Sequence, residues 1–395
     1  MDALHGFDPG VIERRIRAYE AFGVHRTGWP GDDQTSAWLR DQLREADVAA
    51  DLERFSYPRV EYRNARISWP GGQADGVPMY DGGFTDFGGI TSDLCDDSDP
   101  DLFGKIVVAT SALQGDKRWT APEARKHYET LKDQGVLGVV VPSGDPGGRV
   151  ILRNAEHIGA PFNLPVLQIG ERDARGLLSA VVLGVEGTIE VDGERLKSNA
   201  TNVVATIPGT DAGARPLVVM TPKSGWFTCA AERGGGIAIW LGIAEALAVR
   251  PSRRTVHFVA SAGHELHHLG LADYLAHRGS LPQDALGWLH LGASIGAKFP
   301  QARMGASDET LHVLATRSLE ASAAGPFEAM PAGESGNGEA RNLKAVGARY
   351  VTFLGGHRYF HSPQDTFDVA CDAESVARWG LGAWGVIEGM QALED

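Results

Sequence analysis

From residue 215 onward, short apolar runs alternate with helical segments, and this alternation constrains the fold more than any other feature of the chain. RPLVVMT (215–221) has the character of a buried strand, and GGGIAIWLGIAEALAVR (234–250) that of an apolar helix opened by three glycines. RTVHFVASA (254–262) predicts a second strand and HHLGLADYLAHR (267–278) a helix. LGWLHLGASIG (286–296) predicts a strand running into a loop, and LHVLATR (311–317) and GARYVTFLGG (347–356) predict further strands. Strands joined through helices run mostly parallel and need helices on both faces. The expected fold class is therefore α/β, a mostly parallel mixed sheet sandwiched by helices. In such sheets, sites lie outside the carboxyl ends of the strands. The unusual polar residues fall at those ends: Thr221–Ser224, His264–His268, His290–Ser294 and His357–His361.

The rest of the chain differs in character. Residues 8–22 and 33–46 predict helices on either side of GVHRTGWPGDD, with Asp32 or Asp33 placed to cap the second. Residues 55–205 carry short β-rich pieces: ARISWPG, KIVVATS, GVLGVVVPS, LPVLQIG, GTIEVDGE and TNVVATIPG. One helix, PEARKHYETLKDQG (122–135), interrupts them and ends at Gly135, a residue suited to a C-cap. The expected organisation is an α/β domain from residues 1–55 and 200–395, with an inserted β-rich domain at 56–199.

Composition narrows the partners. Lys and Arg number 37 and Asp and Glu 51, a formal net charge of −14. Such a chain repels phosphate backbones, which disfavours nucleic acid and anionic membranes as partners. No apolar run is long enough for a membrane helix, and MDALHGFDPG is not an export signal, so a cytoplasmic location is expected. The three cysteines, Cys95, Cys229 and Cys371, form no CxxC pair; reduced core thiols are expected.

Three clusters could carry chemistry. His264-Glu265-x-x-His268 matches HExxH in letters. Zinc binding by that motif needs both histidines on one helical face. Here the motif follows a strand, Gly263 precedes it, and the helix is expected to begin only near His267. In RYFHSPQDTFD, Pro363 holds His361-Ser362 extended, and Asp365-Thr366 suits a helix cap. In TPKSGWFTCAAERGGG, a polar loop follows the strand and Glu232 sits where it would favour a helix dipole.

Taken in order, these segments resemble the co-catalytic zinc exopeptidases of the bacterial leucyl aminopeptidase and glutaminyl cyclase type, metallopeptidase family twenty-eight. GVHRTGWPGDDQTSAWLRDQL resembles the family's N-terminal segment, and RTVHFVASAGHELHHLG its strand followed by Glu-Glu-x-G. FHSPQDTFD resembles its terminal His-T/S-P-x-D-T. DLFGKIVVAT, GVLGVVVPS and LPVLQIG resemble a protease-associated domain in its usual order.

The resemblance implies a two-zinc centre, but the ligand positions are only partly kept. The family's first His-x-Asp falls on Thr221-Pro222-Lys223, and a further ligand Asp falls on Ala293. Its bridging Asp falls on Glu232, its Glu-Glu pair on His264-Glu265 and its final His on His361. What the resemblance implies is therefore an aminopeptidase-like hydrolase of an amide or peptide bond in a small molecule or short peptide. One divalent metal ion, zinc by analogy, would sit on Glu232, Glu265 and His361. His264 would act as the acid–base group and Lys223 as a fixed ammonium. Thr221, Ser224, His290, Ser294, His357 and Arg358 would face the substrate, with Arg341 a further candidate for a substrate carboxylate. The loop GESGNGEAR (333–341) replaces the family's Ser-Asp-His loop, so a different substrate pocket is expected. The alternatives are a metal-free lyase, cyclase or hydrolase working through Lys223 and His264, or a non-catalytic homologue. The inserted domain makes a homodimer a further expectation.

Overall fold

A computed structural model describes residues 4–119 and 124–395. It divides into two compact units: Met1–Ser56, Asn199–Phe360 and Gln364–Asp395 form the first, and Tyr57–Ser198 with His361–Pro363 the second.

Two helices open the first unit. Helix α1 (Pro9–Glu20) starts on Asp8, whose carboxylate accepts the Gly10 and Val11 amides, with Pro9 at the first helical position. Helix α2 (Pro30–Glu45) begins earlier than expected. Trp29 holds its cap position, and Asp32 lies inside the first turn. Asp32 instead accepts the Gly28 amide through Oδ2 at 2.8 Å.

The second unit is built on β1 (Ala50–Trp69), β2 (Gly72–Asp75), β3 (Val77–Pro78), β4 (Ile90–Asp96), β5 (Ile106–Val108), β6 (Gly138–Ser143), β7 (Val166–Gly170) and the first half of β8 (Glu186–Ile207). Strands β4, β5, β6 and β7 run parallel in that order. Helices α3 (Ala124–Asp133) and α4 (Glu171–Val182) complete it. The expected start of α3 at Pro122 and Glu123 lies outside the described residues. Helix α4 was not expected from the sequence; its buried Ala174, Leu177, Ala180 and Val181 share one face at helical spacing.

The first unit's sheet follows the order β13-β12-β14-β11-β9-β10-β8. Strands β9 (Leu217–Pro222), β10 (Val256–Ser261), β11 (Gly287–Leu291) and β14 (Tyr350–Leu354) are mutually parallel. Strand β12 (Arg303–Ala306) is antiparallel to β14 and parallel to β13 (Glu328–Ala329), and β8 is antiparallel to β10. Because strand residues alternate between faces, Leu217 and Val219 enter one core while Val218 and Met220 enter the other. The first core holds α5 (Gly235–Val249), α8 (Glu309–Ala321) and α11 (Ala373–Ala392). The second holds residues of α6 (Leu269–Ala276) and α9 (Ala340–Ala345), with the short α7 (Leu281–Asp284) adjoining. The short α10 (Phe367–Ala370) precedes α11. The architecture is the expected α/β sandwich around a mostly parallel sheet.

One strand expectation is corrected. LHVLATR lies in helix α8, where Asp308 accepts the Leu311 amide and Leu311, Ala315 and Leu319 are buried four residues apart. The cap and the helical period outweigh the local β-branched run. All three cysteines are free and buried. Among the described residues no helix is long and apolar enough to cross a membrane.

The glycines that open α5 follow from close packing. A Cβ on Gly235 would stand 2.2 Å from the Ile295 carbonyl oxygen. Gly235→Ala is therefore expected to cost about 1–3 kcal/mol through overpacking. Urea denaturation would measure this, and a neutral result would mean that the Ile295 loop yields freely.

Candidate functional site

The carboxyl ends of β9 and β10 meet in a buried hydrogen-bond network around Ser224. Its hydroxyl donates to Glu265 Oε2 at 2.7 Å and accepts from the Gly263 and His264 amides at 2.9 and 3.3 Å. The other carboxylate oxygen, Glu265 Oε1, accepts both the Thr27 amide and the Thr27 hydroxyl at 2.7 Å. Positive φ at Gly263, His267 and His268 turns the chain here, and α6 begins only at Leu269. His264 and His268 thus do not share one helix, and His267 is exposed.

Two buried cations adjoin this network. Lys223 is fully buried, and its ammonium is paired with Asp32. Burial pushes the Asp32 carboxyl up to about 6, against the pull of the Lys223 ammonium. The Lys223 amide donates to the Ser261 carbonyl, and Tyr19 Oη donates to the Lys223 carbonyl. Arg233, also fully buried, pairs with Glu232 at 2.5 Å and donates through Nε to the Ser224 carbonyl at 2.8 Å. Glu232 lies in a π-helical turn, Ala230–Gly234, that leads into α5. Asp365, expected to cap the helix that follows it, instead accepts the Ala231 and Glu232 amides at 2.8 and 3.0 Å.

A third group surrounds Glu339, from the loop ahead of α9. This carboxylate is fully buried and accepts the Ser261 hydroxyl at 3.0 Å. His264 Nδ1 stands 3.5 Å from Oε1, and His290 Nε2 stands 3.9 Å from Oε2. His290 Nδ1 is fixed by Thr352 Oγ1 at 2.8 Å, and His268 Nδ1 by Asn342 Oδ1 at 2.8 Å. Burial pushes the His290 imidazole down to about 4 and lowers His268 as well.

The depressed His290 value predicts acid sensitivity. Between about pH 6.5 and 4 the unfolded chain binds a proton that native His290 refuses, so stability is full above 6.5 and falls as pH drops towards 4, by about 3 kcal/mol from this group. Denaturant midpoints at pH 7 and 4.5 should converge more in His290→Gln than in wild type. Identical pH dependence in the two proteins would contradict this.

The other expected site residues divide. Thr221 is buried and donates to the Leu291 carbonyl at 2.9 Å, which ties β9 to β11. Ser294 is buried at φ +64°, and its amide donates to the Glu232 carbonyl at 3.0 Å. His357 Nε2 stands 3.6 Å from Asp365. Arg358 is exposed and lies over the Phe299 ring at 4.3 Å, and Arg341 is exposed too. His361 belongs to the second unit, where its Nδ1 meets the Leu152 carbonyl at 2.9 Å and neighbouring Ser362 donates to Asp145. The network further includes Thr27, Asp32, Arg233 and Glu339, which the sequence reading did not select as site residues. Asp32 and Glu339 carried the only available signal, as acidic residues inside segments otherwise built for helix starts.

The set Glu232, Glu265 and His361 does not fit a metal ion. Both Glu265 oxygens already accept short hydrogen bonds from Thr27 and Ser224. Glu232 lies in an ion pair with the buried Arg233 guanidinium, through Oε1. Among the described residues, no group of three or more His, Cys, Asp or Glu side chains is placed to hold a metal ion.

No family model matches the chain, and no curated protein matches it by sequence. Solved structures do. A zinc aminopeptidase from Bacillus subtilis shares 17% identity at a TM-score of 0.78, over 97% of this chain and 95% of its own. A family twenty-eight peptidase precursor from Shewanella amazonensis shares 17% at 0.74, over 98% and 97%. An aminopeptidase from an Aneurinibacillus species shares 14% at 0.69, over 96% and 93%. At such identities the likeness establishes one thing: this chain has the fold of those aminopeptidases along nearly its whole length.

Proposed function

We propose that the chain is a hydrolase of an amide bond in a small molecule or short peptide, with His264 as the general base. The observation that carries this reading is the facing of His264 Nδ1 and the buried Glu339 carboxylate, 3.5 Å apart at the carboxyl end of β10. A carboxylate on Nδ1 favours a proton there and leaves Nε2 basic, and it stabilises the imidazolium that forms when Nε2 takes a proton from water. Glu339 acts through His264 and is a positioning residue. Ser224 accepts the His264 amide and so fixes the backbone from which the imidazole projects. The aminopeptidase fold supports an amide substrate by analogy alone.

The expected single-metal centre on Glu232, Glu265 and His361 would require Glu265 to give up its hydrogen bonds and would set the ion beside the Arg233 guanidinium. No step of this reaction needs a metal. The test is release of free amine from a panel of aminoacyl amides and dipeptides by the full chain, with an inert protein as blank. Turnover on at least one member is expected. A folded protein inert on the whole panel would contradict the reading.

A further inference from the structure

We infer that Lys223 and Arg233 serve this centre as built-in cations in place of zinc, and that the centre therefore does not take up zinc. Four of the buried carboxylates here already have a compensating group from the chain itself, whereas Glu339 accepts the Ser261 hydroxyl and faces the His264 and His290 imidazoles. Asp32 pairs with the Lys223 ammonium and also accepts the Gly28 amide. Glu232 pairs with the Arg233 guanidinium. Glu265 accepts three donors from Thr27 and Ser224. Asp365 accepts two main-chain amides of the turn that carries Glu232. An incoming zinc ion would have to displace these partners and then sit beside fixed positive charge in a low-dielectric interior.

The two cations are also fixed in place. Neither side chain is exposed to solvent. Arg233 is pinned through Nε to the Ser224 carbonyl, and the Lys223 main chain is held at both its amide and its carbonyl. The two positions at which the resemblance would place further metal ligands carry Thr221 and Ala293, Lys223 stands where the family has an acid, and the Thr221 hydroxyl is occupied by the Leu291 carbonyl. Two ligand positions are thus neutral in a centre where Lys223 and Arg233 supply fixed positive charge. The inference concerns metal uptake, so it stands or falls apart from the proposed reaction.

The test is calorimetric titration of the purified full-length chain with zinc chloride, paired with elemental analysis after gel filtration. Wild type is expected to retain no stoichiometric zinc. Arg233→Met leaves Glu232 without its guanidinium, and it should bind zinc at least about tenfold more tightly than wild type. Arg233→Lys keeps a cation and should behave as wild type. One zinc per chain on wild type, at micromolar affinity or better, would overturn the inference. So would a folded Arg233→Met whose zinc affinity is unchanged. If Arg233→Met fails to fold, the wild-type measurement still decides, and Lys223→Met offers the same gain at Asp32.

Discussion

Replacing His264 with alanine should lower kcat/KM for the amide substrate by about 10²–10⁴-fold, the usual worth of a positioned general base. The expectation follows from placement. His264 is the imidazole that faces Glu339 most closely, at 3.5 Å, while His290 stands at 3.9 Å with its other nitrogen fixed by Thr352. The loss should fall on kcat more than on KM, because proton transfer is made only in the transition state. Glu339→Gln should keep the shape of the site and lose less, again in kcat, since it acts on the orientation of His264. Steady-state kinetics on both variants, with circular dichroism to confirm the fold, would check this. A His264→Ala enzyme within about twofold of wild type would remove His264 from the chemistry.

The second large effect is on stability. Lys223→Met should destabilise the protein by about 3–5 kcal/mol, because it leaves the Asp32 carboxylate buried without its counter-charge. Asp32 is fully buried, and burial already pushes its carboxyl up even beside the ammonium. Adding Asp32→Asn to Lys223→Met removes the stranded charge, and much of the loss should return. Urea unfolding of the two single variants and the double variant closes the cycle. A single-variant loss under about 1 kcal/mol would mean that water solvates the pair as it does a surface salt bridge.

How much of this was legible in the sequence varied with the kind of information involved. The parallel core strands were readable because each is a short apolar run next to a helix signal, as in RPLVVMT and RTVHFVASA. Helix α8 was misread because LHVLATR is locally strand-like; only Asp308 before it and Leu319 after it reveal the helical period. Helix α4 was missed inside a segment read as β-rich. At the site, motif order located His264, Glu265, Ser224 and Lys223 near strand ends but could not show what each one touches. Lys223 reads as a free ammonium until Asp32, 191 residues away, is found beside it. Glu339 was invisible for the same reason: its partners Ser261, His264 and His290 come from two other strands and a loop. Arg358 is the converse case, a charge near a motif that turns out to rest on an exposed aromatic ring.

The most direct test of the central claim is amide hydrolysis by the wild-type chain after exhaustive chelation, compared with the same protein supplied with zinc. The account predicts that turnover is undiminished by chelation and not raised by zinc, because His264, Glu339 and the two buried cations are all supplied by the chain. Turnover abolished by chelation and restored by one equivalent of zinc would contradict it.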